Sequence, residues 1–500
     1  MHAAMIALLG GQRGSLPNLP GEPASERRRW MALLGAVLVA YLGLAYAYVW
    51  VIQPRYGPDE PRHFAYVRRL VEKRSLPVRA GPIEEDGAHT LHPPLYYTLM
   101  APVYLVASGL GETGAYRAIK AVSPLLLAAA LLLFLATLGR LLPDRPFAVA
   151  AALTTVALLP EFQLEAAVMN NDGLAVLLGS ALLWQLVRTV GQAPCTRQAL
   201  LTGLLMALFV NTKATGWTLS PLFALALFLR ARRAPEQTRS LLRDGLVGYG
   251  LLLLLGTWWY VRNHQLYGQP VPLDFGQFGE LHPINLRTGA ILTPIDVYTS
   301  GYVIHYGWRA TEGLFQSFWG QIDWFREEYR PAIFGILLTL VIGSFFGWLK
   351  VALPHVRQFL TRRTPSRSEQ TVEQIEATAD LRTGPPHVRT NTESASTHTA
   401  VPTPCPAPSP GWLPAAAFGL LYLHTWYVAT FLHQGFYQGG RYLMPAVFGA
   451  SFLLAAGWEH MIPARARFPA AVVLAAAVFG LNILCLVELI TVLNPKYVTP

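Results

Sequence analysis

Charge is scarce in this chain for its length, and cysteine scarcer still. Asp, Glu, Lys and Arg make up only 14% of 500 residues, against 53% hydrophobic residues. A soluble protein of this length carries a far larger charged fraction, so a soluble fold is excluded. The three cysteines, Cys195, Cys405 and Cys485, lie far apart and lack CxxC or Cys/His spacing. That excludes a disulfide framework and a zinc site as organising features. There is no GxSxG, Walker loop or HExxH, so hydrolase, NTPase and zinc-protease readings have no support. The formal charge of +10 is the signature of basic cytoplasmic loops in a membrane protein, and no nucleic-acid partner is read from it.

What is present is a series of long apolar blocks. Runs of about 17–25 apolar residues cross a bilayer as helices. Spans are expected at 30–52, 118–139, 146–160, 172–190, 198–212, 216–230, 246–262, 331–352, 412–432, 440–458 and 467–490. Arg27 to Arg29 precede the first, which is longer than a signal-peptide core and is read as an uncleaved anchor, although Ala45-Tyr46-Ala47 resembles a cleavage site. The expected fold class is all-α: a polytopic membrane protein of about 11 transmembrane helices.

A further apolar piece, 93–108, contains Pro93, Pro94 and Pro102. Treating it as an interfacial helix in the first external loop puts 22 of the 39 Lys and Arg, but only 11 of the 29 Asp and Glu, on the side of Arg27 to Arg29. Making it a span inverts every later loop against the positive-inside rule. The chosen topology keeps the N-terminus cytoplasmic in the plasma membrane. It places the Asp59 loop, the Glu161–Asp172 loop, the 263–330 segment and the His433–Arg441 loop on one outer, periplasmic face.

By composition, 1–29 is a disordered cytoplasmic tail. Residues 30–352 form a membrane module with external loops 53–117 and 263–330. Residues 353–411, rich in Ser, Thr and Pro, are a disordered cytoplasmic linker, and 412–500 a three-helix membrane segment. Trp319 and Trp324 read as interfacial residues.

Asp59-Glu60, between Pro58 and Pro61 just past the first span, is the first candidate for chemistry. Acids at a membrane boundary are expensive and mark function. Asp59 also suits the N-cap of a helix over Glu60–Val71. One of the pair can take a proton from an attacking hydroxyl while the other binds a sugar hydroxyl or the scaffold. Together they could hold a divalent cation, Mg or Mn, through oxygen ligands.

Asn171 and Asp172 open a later span, as an N-cap or as a second acid facing the first. Arg262 and Asn263 follow Trp258-Trp259-Tyr260, and Arg441 follows Gly439-Gly440. Glycines that admit a ligand, followed by a guanidinium, suit a phosphate. Lys213, between two short spans, reads equally as a snorkelling cation and as a site residue. His92 heads His92-Pro93-Pro94-Leu95-Tyr96-Tyr97, and His63 shares a helix face with Asp59 four residues earlier. Single histidines are more often structural, and both rank low among the site candidates.

In these motifs the chain resembles the GT-C superfamily of integral-membrane glycosyltransferases, which use polyprenyl-phosphate sugar donors. Asp59-Glu60 looks like its acidic motif in the first external loop. His92-Pro93-Pro94-Leu95 is similar to the His-Pro-Pro-Leu stretch of the protein O-mannosyltransferases (glycosyltransferase family 39). Asn171-Asp172 resembles the second acidic position, and Gly440-Arg441-Tyr442-Leu443-Met444-Pro445 the Gly-Arg-Tyr-Leu-x-Pro opening of a late span in bacterial members. The wording around Pro58 to Phe64, with Trp259-Tyr260-x-Arg262-Asn263, looks closest to a bacterial branch of those proteins.

The resemblance covers about residues 30–350 and 412–490. It implies an inverting transfer onto a glycan, lipid or protein hydroxyl, with Asp59 as base and Glu60 in support. Arg262 or Arg441 would then hold the lipid phosphate. The alternatives are a transporter or flippase of lipid-linked glycans, which would show broken helices and mid-membrane polar groups, and a glycan polymerase or ligase.

Overall fold

The computed structural model describes residues 24–57, 59–80, 83–84, 90, 92–270, 302–319, 331–361, 411–432 and 440–493. The expected tail up to residue 23, most of the linker, Trp324 and the loop before Gly440 lie outside these residues.

Every apolar stretch named above is helical. The first is α1 (Ala24–Val51), followed by α2 (Glu60–Glu72) and α3 (Leu95–Ala107). Next come α4 (Gly111–Lys120), α5 (Ser123–Leu141), α6 (Pro146–Ala157), α7 (Pro160–Ala167) and α8 (Asp172–Thr189). The chain continues through α9 (Thr196–Val210), α10 (Gly216–Leu219), α11 (Pro221–Arg233), α12 (Thr238–Gly256) and α13 (Trp258–Tyr267). After them stand α14 (Tyr302–Trp319), α15 (Pro331–Thr361) and α16 (Trp412–Tyr427). A 3-10 turn at Gly440–Ala446, α17 (Val447–Met461) and α18 (Arg467–Glu488) complete the order. The one departure from an all-α architecture among the described residues is a two-residue antiparallel pair, Arg79–Ala80 with Ile83–Glu84.

Among the described residues, four helical stretches are long and apolar enough to cross a membrane: Ala24–Val51, Leu95–Leu141, Gly335–Pro354 and Ala464–Thr491. The number rises to six if two bent pairs each count as one span. The protein is therefore an all-helical membrane protein, but length and composition single out fewer crossings among the described residues than the eleven apolar stretches. The shortfall has a physical cause. At about 1.5 Å per residue, a helix such as α6 or α9 falls short of a hydrocarbon core of about 30 Å. The α6–α7 pair turns by 50° and the α12–α13 pair by 43°. The 93–108 stretch forms α3 as expected of a helix, within the helical stretch Leu95–Leu141, which counts as one of the four.

The core sits around α6 and α7. Every residue of α6 after Pro146 is buried, and so is every residue of α7. A helix apolar all round belongs inside a bundle. The C-terminal helices pack back onto the first half: Phe134 of α5 stacks on Phe448 of α17 at 4.2 Å, and Trp30 meets Phe468 edge-on at 5.0 Å. Elsewhere small residues let backbones touch, Gly203 against Gly248 and Gly347 against Gly457. Such contacts replace the hydrophobic drive that lipid removes between helices.

Candidate functional site

The acidic pair divides at once. Asp59 occupies the N-cap of α2 in the left-handed region, φ 54°, yet its side chain makes no capping bond. Four residues earlier Arg55 is also left-handed, at φ 76°. Non-glycine residues in that region cost on the order of 1 kcal/mol or more, and such strain persists only where neighbours enforce it. With the cap unused, the Asp59 carboxylate reaches Arg441, its Oδ2 lying 3.7 Å from the Nη2. Both side chains stay partly open, 32% and 19% exposed.

Glu60 points the other way and is fully buried. Its Oε2 accepts from the Arg55 backbone N–H at 3.0 Å and its Oε1 from the Met169 N–H at 2.9 Å. The same Oε1 pairs with Lys120 Nζ at 3.1 Å, and that ammonium also donates to the Ile52 carbonyl at 3.1 Å. One carboxylate thus ties the end of α1, the end of α4 and the α7–α8 junction into a single knot. Gly57 is required beside it: a Cβ there would stand 2.6 Å from Val168 Cγ1 and 2.7 Å from Glu60 Cδ. These contacts hold the backbone that presents Asp59.

The second acid stands behind Arg441. Asp172, in the first turn of α8, pairs with Lys213, and both are buried. Lys213 therefore does not snorkel. Its Nζ lies 4.5 Å over the Tyr442 ring, and the Arg441 guanidinium lies 5.2 Å from the same ring, with Nη2 donating to the Tyr442 hydroxyl at 3.3 Å. Tyr442 is thus shared by two cations, a cation–π arrangement. The turn carrying them presses onto α8 where Gly179 has no side chain; a Cβ there would lie 2.7 Å from the Pro445 carbonyl oxygen. Glu165 of α7, held by Asn170 Nδ2 at 2.7 Å, feels the charges of Asp172, Arg441 and Lys213.

Asn171 caps nothing with its side chain. Its Nδ2 donates to the Thr212 carbonyl at 2.7 Å and meets His92 Nδ1 at 3.1 Å. His92 in turn sits edge-on to His63, ring centres 5.5 Å apart. His63 Nδ1 bonds the Tyr97 hydroxyl at 2.8 Å. Asp59, Arg441, Lys213, Asp172, Asn171, His92 and His63 therefore belong to connected polar clusters at one end of the helices.

Arg262 is the member held elsewhere by its described contacts. Its Nη2 donates to the Pro77 carbonyl at 2.9 Å, and its guanidinium covers the Trp259 ring at 4.7 Å. Its charge reaches Tyr66, which stacks on Tyr97 at 3.8 Å. Among the described residues, no group of three or more His, Cys, Asp or Glu side chains is arranged to hold a metal ion.

Sequence reasoning missed Lys120, Glu165, Tyr97 and Tyr442. Lys120 carried a signal, since a charge just inside an apolar stretch is expensive and seeks a partner. Tyr97 and Tyr442 lay inside quoted motifs without a role of their own, and Glu165 carried no signal.

An apolar cavity of about 370 Å³ opens among α14, α15, α16 and α17. Its wall includes Leu443, two residues beyond Arg441, with Phe318, Trp319, Phe418 and Tyr422. The charged cluster around Arg441 and the apolar cavity therefore share the 3-10 turn Gly440–Ala446.

Fold and site together define an all-helical membrane protein in which Asp59, Asp172, Lys213 and Arg441 gather at one end of the helices. No family model matches the chain, and no curated protein matches it. Two solved structures are similar, both of ArnT from Cupriavidus metallidurans. The apo form is 19% identical over 87% of this chain and 77% of that one, with a TM-score of 0.34. The form bound to undecaprenyl phosphate is 18% identical over 86% and 77%, with a TM-score of 0.36. At those scores the likeness is too loose to carry function, and the reading below rests on the site.

Proposed function

We propose that the protein is a membrane glycosyltransferase that moves a sugar from a polyprenyl-phosphate donor to a hydroxyl acceptor, in a site on the external face of the plasma membrane. The observation that carries it is the meeting of Asp59 with Arg441, from opposite ends of the chain, on a turn that also walls the apolar cavity. A donor with a charged phosphate and a long hydrocarbon tail needs those two environments side by side. The motif resemblance supports the same substrate class, and the excess of basic loops on the opposite side supports the external placement.

In this reading the acceptor hydroxyl gives its proton to the Asp59 carboxylate. Its oxygen forms the new bond to the anomeric carbon as the bond from that carbon to the phosphate oxygen breaks. The electron pair leaves on the lipid phosphate, whose growing charge meets Arg441 and Lys213. A single displacement inverts the anomeric centre. Asp172 and Tyr442 hold the two cations in place, while Glu60 positions Asp59 without touching substrate. His63 and His92 line the approach, and Arg262 braces its rim.

Transfer from a radiolabelled polyprenyl-phosphate sugar tests the reading. Asp59→Asn should abolish it, and full transfer by that variant would remove the base. The bent pairs α6–α7 and α12–α13 are the feature that favours a transporter of lipid-linked glycans instead. Uptake into proteoliposomes with no glycosidic bond made would establish that reading.

A further inference from the structure

At the other end of α17 from Arg441 lies a second cavity of about 550 Å³, where Lys350 of α15, Glu459 and His460 of α17 and Arg467 stand among apolar wall residues such as Met461 and Ile462. Its size is that of a small-ligand pocket. Glu459 is buried and pairs with Arg467, Oε1 to Nη1 at 3.1 Å. Arg467 also donates to the Glu459 carbonyl at 3.2 Å and to the Ile462 carbonyl at 3.4 Å. Lys350 Nζ donates to the His460 carbonyl at 3.3 Å, and Arg145, at the start of α6, brings Nη1 to 3.5 Å from His460 Nε2.

Three cations from three separate helices thus gather around His460 and the buried Glu459, with Arg467 paired to the carboxylate and Lys350 and Arg145 bonded to His460. Arg145 and Lys350 are exposed. An ammonium has three donors and a guanidinium five, so Lys350 and Arg467 hold N–H groups beyond the bonds just described. The indole of Trp348, partly exposed, lies 6.2 Å from the His460 ring. Trp348 lies near the end of the apolar stretch Gly335–Pro354, and tryptophan near the end of a span marks headgroup depth in a bilayer.

We infer that this cavity binds a phosphate group, supplied by the headgroup of an anionic phospholipid in the leaflet opposite the Asp59 site. Lys350 and Arg467 donate to the phosphate oxygens, Arg145 adds charge from the rim, and Glu459 fixes Arg467 at the wall. The inference stands apart from the transferase reading and needs neither donor nor acceptor.

Native mass spectrometry of the full-length protein, released from detergent with phosphatidylglycerol or phosphatidylcholine, tests it. Phosphatidylglycerol should be retained in preference. Lys350→Gln and Arg145→Gln, both at exposed positions, should each lower that retention about five-fold, whereas Arg232→Gln, at another exposed arginine, should leave it unchanged. In a parallel arm with inorganic phosphate alone, a rise in melting temperature that disappears in Lys350→Gln would support the same phosphate chemistry with a soluble source. Retention that ignores headgroup charge, that survives both substitutions, or that falls equally in Arg232→Gln overturns the inference when inorganic phosphate also gives no variant-dependent shift.

Discussion

Asp59 and Glu60 are neighbours in sequence and opposites in environment. Glu60 and its partner Lys120 are wholly shielded, and backbone N–H groups complete the carboxylate's bonding. Asp59 and Arg441 are a looser pair, each partly open. A buried ion pair contributes little net stability but becomes very costly when one partner is removed. A part-exposed pair contributes about 0–1 kcal/mol and stays free to trade its partner for a ligand. The same side-chain chemistry thus serves as a bolt on one side of a peptide bond and, in the proposed reaction, as the base on the other.

The sharpest way to break that contrast is to neutralise each acid. Asp59→Asn should lower transfer by about 10²–10⁴-fold, the usual contribution of a general base, while shifting thermal unfolding little. Kinetics and a melting curve on the same preparation read both halves, and a large loss of stability would erase the distinction. Lys120→Met leaves Glu60 charged and alone, and should destabilise the fold by about 3–5 kcal/mol. Adding Glu60→Gln should recover much of that loss in denaturant titrations. If Lys120→Met is neutral, the knot is not what holds Asp59.

Gly57→Ala sharpens the comparison at the hinge between the two acids. With so little room beside Val168 and Glu60, it should cost about 1–3 kcal/mol of stability and lower kcat more than it raises KM. Arg441→Lys should have the smallest effect. It keeps the charge but loses the planar fork and the overlap with Tyr442, so donor KM should rise about tenfold while stability is unaltered. An unchanged KM would detach Arg441 from the phosphate.

The legible part of the site was its residue types at their boundaries. A Pro-Asp-Glu-Pro sequence just past an apolar span, and a Gly-Arg-Tyr at the start of another, stand out because charge is rare in this chain. The α2 start at Glu60 was likewise readable from Asp59 and Pro61. The direction of each side chain was not. Capping was a fair expectation for Asp59 and Asn171, yet neither side chain caps, because Arg441 and His92 compete for them from distant segments. Lys213 looked suited to snorkelling, but Asp172 gives it a partner indoors. Arg262 shares its residue type with Arg441, and only the Pro77 carbonyl and Trp259 give it a separate set of described contacts.

Composition and apolar run length determined that this chain is a helical membrane protein, because hydrocarbon accepts no unpaired backbone and few charges. They also placed its scarce acids and cations at helix ends. Which acid is buried in the scaffold and which stays partly open was decided only when Lys120, Met169 and Arg441 came together in space. Local sequence carries the identity of a charge, while its solvation and its partner belong to the packed bundle.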